Sequence, residues 1–424
     1  MRRALLSALV LAFAPSSLFA SNLYLETGRL IDVTAGMALT GQCISISDDR
    51  ITAIAPCGAT PEGSDRIDWS DFTVLPGLID LHTHLADTGQ SADLALPIKT
   101  SPAATALIGA HNARLTLEAG FTTVRDVGTY RGLTDLALRD AINAGHVIGP
   151  RMFVAGAYIT IPKGGGELNG VVPNEQLPAD MRLGVAYTPE EAAAKTDFLI
   201  ARGADFIKTI ATGAVLAIGT EPGEPEMTEA QLRAVVEAAK TKNTFVTAHA
   251  HGAIGIMNAI RAGVRSIEHA SLIDDAALSM AKQNATWLVM DIYNGDYIDD
   301  IGRKEGWPEE YLRKNRETTD VQREGFTKAV KMGVKLAYGT DSGVYPHGHN
   351  ARQFAYMVRY GMTPMHAIQS ATIRAAELLG KEAMIGSIAP GRFADLVAVT
   401  GDPLADVRLL ENVAHVMKAG ALVK

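Results

Sequence analysis

The sequence predicts an α/β fold, a (β/α)8 TIM barrel with a small β-sandwich domain built from both chain ends. Eight strand-like segments alternate with helical segments across residues 76–384. Short β-rich segments occur at both ends, in 21–75 and 385–424. Polar residues end several predicted strands, which favours a barrel over a doubly wound open sheet, because a barrel gathers those ends around one pocket.

The first 20 residues have the organisation of a secretory signal peptide. Arg2 and Arg3 precede an apolar run, 4–13, that is too short to span a bilayer, and Ala20 offers a small residue for cleavage. The alternative is an uncleaved first strand or helix. We therefore expect a periplasmic or secreted protein, cleaved near Ala20, with no stable membrane anchor.

The composition limits the possible partners. The net charge of −8 is spread over interspersed acidic and basic residues, so no nucleic-acid partner is expected. Cys43 and Cys57 are the only cysteines, and they lie on the two arms of a predicted hairpin that turns near Arg50. In an oxidising compartment they can form a cross-strand disulfide, and two buried free thiols are the alternative.

The predicted elements follow from local patterns of apolar, polar and turn residues. The terminal domain is predicted to contain strands at 43–46, 51–54, 395–399 and 413–418. The barrel strands are predicted at 77–82, 122–126, 151–155, 205–210, 245–249, 266–269, 286–291 and 335–339. Helices are predicted between them, for example at 190–202, 229–242, 252–262 and 274–283. Two long connections, 161–166 and 293–320, are candidate lids, with surface elaboration as the alternative.

Histidines and a carboxylate lie at the ends of several predicted barrel strands. His82 and His84 are two residues apart on a strand, so they share one face and can bind one metal ion. Alone this pair is a weak signal, because two histidines can also close the end of a barrel through hydrogen bonds. His249 and His269 repeat the placement, and Asp341 ends the eighth strand, where a carboxylate can ligate a metal and accept a proton.

Lys208 is the unusual residue of the fourth predicted strand, whose other residues are mostly apolar. A buried ammonium is costly, so the ordinary interpretation is a side chain that faces outward or reaches along the surface to water. The strand, however, lies between strands that carry candidate metal ligands. Carbon dioxide would convert the Lys208 amine into a carbamate, a bidentate anion able to bridge two cations.

Taken together, these residues resemble the amidohydrolase superfamily. The resemblance covers essentially all of the chain after residue 20. It rests on the strand-four lysine and on five motifs, PGLIDLHTH at 76–84, HAHG at 249–252, IEHA at 267–270, GTDSG at 339–343 and GSIAPGRFADLV at 386–397. Each motif is unremarkable alone, but the set is highly specific.

The resemblance implies a pair of divalent metal ions, zinc by default. The implied ligands of the buried metal are His82, His84 and Asp341. Those of the more exposed metal are His249 and His269.

The resemblance also implies that carboxylated Lys208 bridges both metals, which makes carbon dioxide a further component. Asp341 is the implied catalytic residue, which takes a proton from the attacking water and passes it to the leaving amine. His251 shares a strand face with His249 and is the alternative ligand, and otherwise it contacts substrate. Further substrate contacts are expected from Val215, Leu216, Tyr293, Tyr345 and His347, with core packing as the alternative for Val215, Leu216 and Tyr293.

Within the superfamily, the motifs are similar to those of exported, prolidase-like metal-dependent carboxypeptidases, a subgroup that includes ochratoxinase-type enzymes. This implies cleavage of dipeptides or N-acyl amino acids with a free C-terminal carboxylate, including ochratoxin A to ochratoxin α and phenylalanine. It also implies a homo-oligomer such as an octamer. Two alternatives stay open, a two-metal hydrolase of a cyclic amide, imide or lactone, and a non-catalytic binding protein.

Overall fold

The computed structural model describes residues 22–424, so the predicted signal peptide lies outside the described residues. The strands of the described chain are β1 (Asn22–Asp32), β2 (Met37–Thr40), β3 (Gln42–Ser47), β4 (Arg50–Pro56), β5 (Asp65–Pro76), β6 (Leu78–Thr83), β7 (Phe121–Asp126), β8 (Arg151–Val154), β9 (Tyr158–Ile159), β10 (Ile207–Ile210), β11 (Val246–Gly252), β12 (Ser266–Leu272), β13 (Trp287–Val289), β14 (Leu336–Ala337), β15 (Leu396–Val399), β16 (Val413–Lys418) and β17 (Ala421–Leu422).

Helices fill most of the segments between the later strands. They are α1 (Leu96–Lys99), α2 (Pro102–Glu118), α3 (Thr134–Asn143), α4 (Pro189–Ala201), α5 (Glu229–Thr241), α6 (Ala253–Ala262), α7 (Asp275–Gln283), α8 (Asn294–Tyr297), α9 (Arg303–Glu305), α10 (Glu309–Met332), α11 (Arg352–Arg359), α12 (Pro364–Ser370) and α13 (Ile373–Leu379). Several begin at a Ser, Thr or Asp whose side chain accepts a free backbone N–H of the first turn. These capping residues are Ser101, Thr188, Thr228, Asp274 and Thr363.

Both ends of the described chain contribute to one mixed sheet, in the order β17-β16-β15-β5-β1-β3-β4, with β2 paired to β1. Its buried face packs residues such as Leu25, Trp69 and Leu396 against one another. The predicted hairpin is confirmed, since β3 and β4 pair antiparallel. A disulfide joins Cys43 in β3 to Cys57 just after β4, so the structure contains the first of the two predicted cysteine arrangements.

The remaining strands form two parallel sheets, β6-β7-β8 and β14-β13-β12-β11-β10-β9. Backbone hydrogen bonds connect the two sheets in two places. Leu81 N of β6 donates to Tyr338 O, just after β14, at 3.0 Å, and Asp205 N, just before β10, donates to Val154 O of β8 at 2.8 Å. Most residues of these strands are buried on both faces, as expected where helices cover a parallel sheet.

Each of the eight predicted barrel-strand segments contains a strand, and the four predicted helices are present as α4 to α7. The structure adds β9, a two-residue strand. The connection that follows β13 is largely helical, because α8, α9 and the first half of α10 occupy it. No helix within residues 22–424 is both long and apolar enough to cross a membrane.

Candidate metal centre

Histidine side chains from three parallel strands meet at one site. His82 lies near the end of β6 and His84 just after it, while β11 carries His249 and His251 and β12 carries His269. Ring centroids are 4.8 Å apart for His82 and His269, and 4.5 Å apart both for His249 and His269 and for His249 and His251. The structure therefore brings together all five histidines predicted at strand ends.

Asp341 joins this cluster from the segment that follows β14. Its Oδ1 lies 3.4 Å from His82 Nε2 and 3.1 Å from His84 Nε2, so one oxygen and two nitrogens can share a metal ion. Burial acts to raise the pKa of Asp341, but His82 and His84 hold it well below its usual range. The carboxylate is thus charged, as a metal ligand must be.

Two glycines, Gly339 and Gly343, lie on either side of Asp341 and pack so closely against neighbouring residues that a side chain would not fit. A Cβ on Gly339 would lie 2.2 Å from Val289 Cγ1, and one on Gly343 would lie 2.9 Å from His84 Cβ, and both distances are too short. This packing places the Asp341 carboxylate near the imidazoles. Asp341 itself has a left-handed backbone, with φ of 57°. Such a backbone is uncommon outside glycine and persists where the surrounding structure imposes it.

Hydrogen bonds to Nδ1 orient three of the imidazoles and leave Nε2 available to a metal. The pairs are His82 Nδ1 with Glu268 Oε2 at 2.9 Å, His84 Nδ1 with Gly128 O at 2.8 Å, and His269 Nδ1 with Asp291 Oδ1 at 3.0 Å. Metal-binding histidines usually donate their second nitrogen in this way. The donor set therefore fits a divalent metal ion.

His249 and His251 are oriented differently. His249 Nε2 lies 3.3 Å from Gly213 O, which leaves its Nδ1 available, and His251 Nδ1 lies 2.8 Å from Ser271 Oγ. Both rings are buried against His269. The choice between them as ligand stays a prediction, although the Ser271 contact does leave His251 Nε2 available for a substrate.

Lys208 is buried in β10 and lines the same cavity, so the outward-facing interpretation does not hold. Among residues 22–424, no carboxylate lies within ion-pair distance of its amine. Burial lowers the pKa of Lys208 to about 8, although the more distant carboxylates of Glu268 and Asp341 act to raise it. A substantial fraction of the amine is therefore neutral near pH 8, and the neutral amine is the form that reacts with carbon dioxide.

The cavity above this cluster is lined by two of the predicted apolar contacts, Val215 and Leu216, and by His251. The other three predicted substrate contacts, Tyr293, Tyr345 and His347, are buried, and none of them lines the cavity. Their contact with substrate stays a prediction. The cavity is also lined by Tyr130, Tyr158 and Tyr311, which the sequence did not single out.

The model of the amidohydrolase family matches residues 73–423, which is most of the chain and includes the whole cluster. The chain belongs to the amidohydrolase family. Its relatives include amide-bond hydrolases, so the protein is an enzyme that hydrolyses amide bonds.

Two relatives are similar over nearly the whole of this amidohydrolase. An ochratoxinase from Aspergillus niger is 31% identical over 418 residues, which cover 92% of this chain and 84% of the relative. Its crystal structure has a TM-score of 0.83 at 29% identity and 96% coverage of both chains. A crystal structure of an Xaa-Pro dipeptidase with methionine bound in the active site has a TM-score of 0.89 at 38% identity, covering 95% of this chain and 99% of the other.

The amidohydrolase site also contains a buried charge network that the sequence did not single out. Arg125 in β7 donates to Leu81 O at 2.6 Å, to Ser266 Oγ at 3.0 Å and to Glu268 Oε1 at 2.7 Å. The other oxygen of Glu268 accepts from His82. Lys208 was singled out because it is a charged residue within a predicted strand. Arg125 and Glu268 are also charged residues within predicted strands, so the same signal could have identified them.

A second set of contacts fixes His269. Gln322 in α10 donates from Nε2 to His269 O at 3.0 Å and to Asp291 Oδ1 at 3.1 Å. His269, Asp291 and Asp341 also form a group whose donor atoms are close enough to share a metal ion. Asp291 ends a predicted strand, and that position was its only sequence signal.

Glu268→Gln is expected to weaken metal binding about 10–100-fold, because the amide is a poorer acceptor for the His82 N–H and leaves Arg125 without an anionic partner. A competition titration of zinc against a chromophoric chelator measures the affinity. Glu237→Gln, at an exposed position of α5, serves as the control and should bind zinc as the unmodified enzyme does. Equal affinity in the Glu268 and Glu237 variants would show that this network does not support the metal site.

Proposed function

We propose that this amidohydrolase is a binuclear-metal enzyme that cleaves dipeptides or N-acyl amino acids with a free C-terminal carboxylate, ochratoxin A among them. The observation that carries the proposal is the convergence of His82, His84 and Asp341 beside a buried Lys208 that has no ion-pair partner among the described residues. A lone buried ammonium is unfavourable, whereas a carbamate between two cations is not.

In this proposal, zinc is the default metal, because imidazole and carboxylate are common zinc ligands. His82, His84 and Asp341 would hold one ion, and His249 and His269 would hold the other. A carbamate formed from Lys208 and carbon dioxide would supply an anion shared by both. Asp291 is hydrogen-bonded to His269, so it orients one of the ligands proposed for the second ion, and its carboxylate offers a further ligand oxygen.

When bound, the metal pair polarises the substrate carbonyl and makes a water acidic near neutral pH. Asp341 accepts a proton from the attacking water through its carboxylate. It then delivers that proton to the amide nitrogen as the C–N bond breaks, so the amine leaves neutral. Asn294 Nδ2, 3.3 Å from Asp341 Oδ2, orients the carboxylate for both transfers.

The substrate class is supported by the cavity and by the relatives. Val215 and Leu216 provide an apolar surface for an acyl or side-chain group, and His251 provides a polar group for a carboxylate. A similar solved structure is an Xaa-Pro dipeptidase, and a similar curated protein is an ochratoxinase. Both likenesses favour a linear amide over a cyclic amide, imide or lactone, and the metal-site residues argue against a non-catalytic binding protein.

The architecture and location belong to the same proposal. The backbone bonds between the two parallel sheets support a single (β/α)8 barrel over 76–384, with the mixed sheet as a β-sandwich domain over 21–75 and 385–424. The N-terminal sequence supports export with cleavage near Ala20. We expect a homo-oligomer, such as an octamer, that binds no nucleic acid.

A substrate panel tests the reaction class. The zinc-loaded enzyme is expected to cleave N-acetylphenylalanine, alanyl-phenylalanine and ochratoxin A, each at a kcat/KM at least roughly 100-fold above that of the matched C-terminal carboxamide. Phenylalanine release measured by chromatography is the assay. Turnover confined to lactones or hydantoins would replace the proposal by the ring-opening alternative. No turnover of any substrate by fully metal-loaded protein would favour the binding-protein alternative.

A further inference from the structure

The charged residues of the cavity wall are strongly unequal in sign. Four carboxylates line the cavity, Asp87, Asp93, Asp291 and Asp341, whereas Lys208 is its only lysine and no arginine lines it among the described residues. The proposed carbamate would convert even Lys208 into an anion. A substrate that enters this cavity therefore meets an excess of acidic groups beyond those that serve the metals.

Three of the four carboxylates have charged or polar side-chain partners that account for them. Asp341 lies against His82 and His84, and Asp291 accepts from His269. Asp93 pairs with Lys99 at 2.7 Å on the exposed rim. Asp87 is the fourth carboxylate of the wall, and no side chain of the described residues forms an ion pair with it.

Asp87 is only 8% exposed, and no lysine, arginine or histidine nitrogen of residues 22–424 lies within ion-pair distance of it. Its Oδ1 accepts from Thr88 N at 2.7 Å and its Oδ2 from Tyr130 N at 3.3 Å. These amides fix the carboxylate, and each oxygen keeps a further lone pair for another donor. Burial raises the pKa of Asp87, and His84, which lies beyond ion-pair distance, opposes that rise only in part. A buried carboxylate with no cation in contact is unfavourable, so its place on a cavity wall points to a cationic ligand.

The observed geometry does not support a further metal ion as the ligand of Asp87. Asp87 belongs to neither group of described residues whose donor atoms lie close enough to share a metal ion. A primary ammonium, in contrast, needs one fixed carboxylate and two or three acceptors. Asp87 follows His84 by three residues and interacts electrostatically with it, so the carboxylate lies on the His84 side of the metal centre.

We propose that Asp87 binds the free α-ammonium group of the substrate, so that dipeptides with an unblocked N-terminus are preferred over N-acyl amino acids. This inference rests on the proposed function and narrows its substrate class. In a dipeptide the α-nitrogen is two bonds from the scissile carbonyl carbon. A carboxylate on the wall beside the metal centre can therefore hold the ammonium while the carbonyl lies at the metals.

A matched pair of substrates tests the proposal. Alanyl-phenylalanine and propionyl-phenylalanine differ only in the amino group, and the readout is the ratio of their kcat/KM values. The zinc-loaded enzyme is expected to prefer alanyl-phenylalanine by at least roughly tenfold, mainly through KM, because a charge-assisted hydrogen bond is gained. In Asp87→Asn the ratio is expected to fall to about one, because the amide keeps the shape but not the charge.

Asp93→Asn is the matched control, since it removes a carboxylate of the same wall that already has Lys99 as its partner. Its ratio is expected to equal that of the unmodified enzyme. An unchanged ratio in Asp87→Asn would show that the charge of Asp87 does not recognise the substrate ammonium, and would overturn the proposal. A ratio of one or less in the unmodified enzyme would also overturn it, whether or not any variant folds. Turnover of neither substrate would instead overturn the proposed function itself.

Discussion

Replacing Lys208 by alanine is expected to reduce kcat/KM by at least about 1,000-fold and to remove at least one metal ion per chain. The reason is the position of Lys208. Its amine is buried in β10 on the wall of the cavity that the metal ligands share. If its carbamate is the shared anion between the metals, alanine leaves two cations close together without the group that holds them.

Metal content per chain, measured by plasma mass spectrometry on protein purified with zinc and bicarbonate, is the deciding readout. Lys282→Ala, which removes an exposed lysine of α7, should have the metal content and activity of the unmodified enzyme. Lys208→Glu, which supplies a shorter permanent carboxylate, should retain more metal than Lys208→Ala. Normal metal content in Lys208→Ala would contradict the bridging role.

Asp341→Asn is expected to lower kcat by about 100- to 10,000-fold, because an amide cannot take up and return the proton that the leaving nitrogen needs. The substitution keeps the size of the side chain. The turn itself is held by the close packing of Gly339 against Val289 and His82 and of Gly343 against His84, so the fold should persist. The expected signature is a low kcat in protein that still melts cooperatively.

Steady-state kinetics on alanyl-phenylalanine and thermal melting of the same preparations test this prediction. Asp406→Asn, at a carboxylate paired with Arg408 near the C-terminus, provides the control and should keep full activity. If Asp341→Asn retained more than about a tenth of the kcat, another group would have to carry the proton, and Asp291 would be the next candidate.

The strands were predictable because their signals are local. Apolar runs that end in polar residues predicted all eight barrel-strand segments. The strand β9 was missed because Tyr158–Ile159 is too short to show a periodic pattern. Only three residues of the segment predicted at 286–291 belong to the observed strand. Met290 is apolar because it is buried, and it lies outside the strand's backbone pairing.

The metal cluster was predictable because parallel strands end on the same side, so His82, His249 and His269 had to meet if each lay at a strand end. The residues that orient them were not predictable. Arg125 and Glu268 are 143 positions apart, and nothing local indicates that their side chains pair. Such contacts appear only when the strands are placed side by side.

The substrate contacts were the least predictable part of the site. Tyr345 and His347 were expected to contact substrate, but the chain turns at Gly343, whose φ is 118°, and neither residue lines the cavity. The segment 293–320 was predicted as a candidate lid. In the structure most of it is helical, and Tyr311 and Asn315 of α10 form part of the cavity wall.

Metal removal and reconstitution provide the decisive experiment on the two-metal mechanism. Dialysis of the purified enzyme against a strong chelator should reduce amide hydrolysis to below about 1%, and zinc added back with bicarbonate should restore it with saturation at about two ions per chain. Cleavage of the preferred amide at the original rate by protein shown to be metal-free would contradict the account.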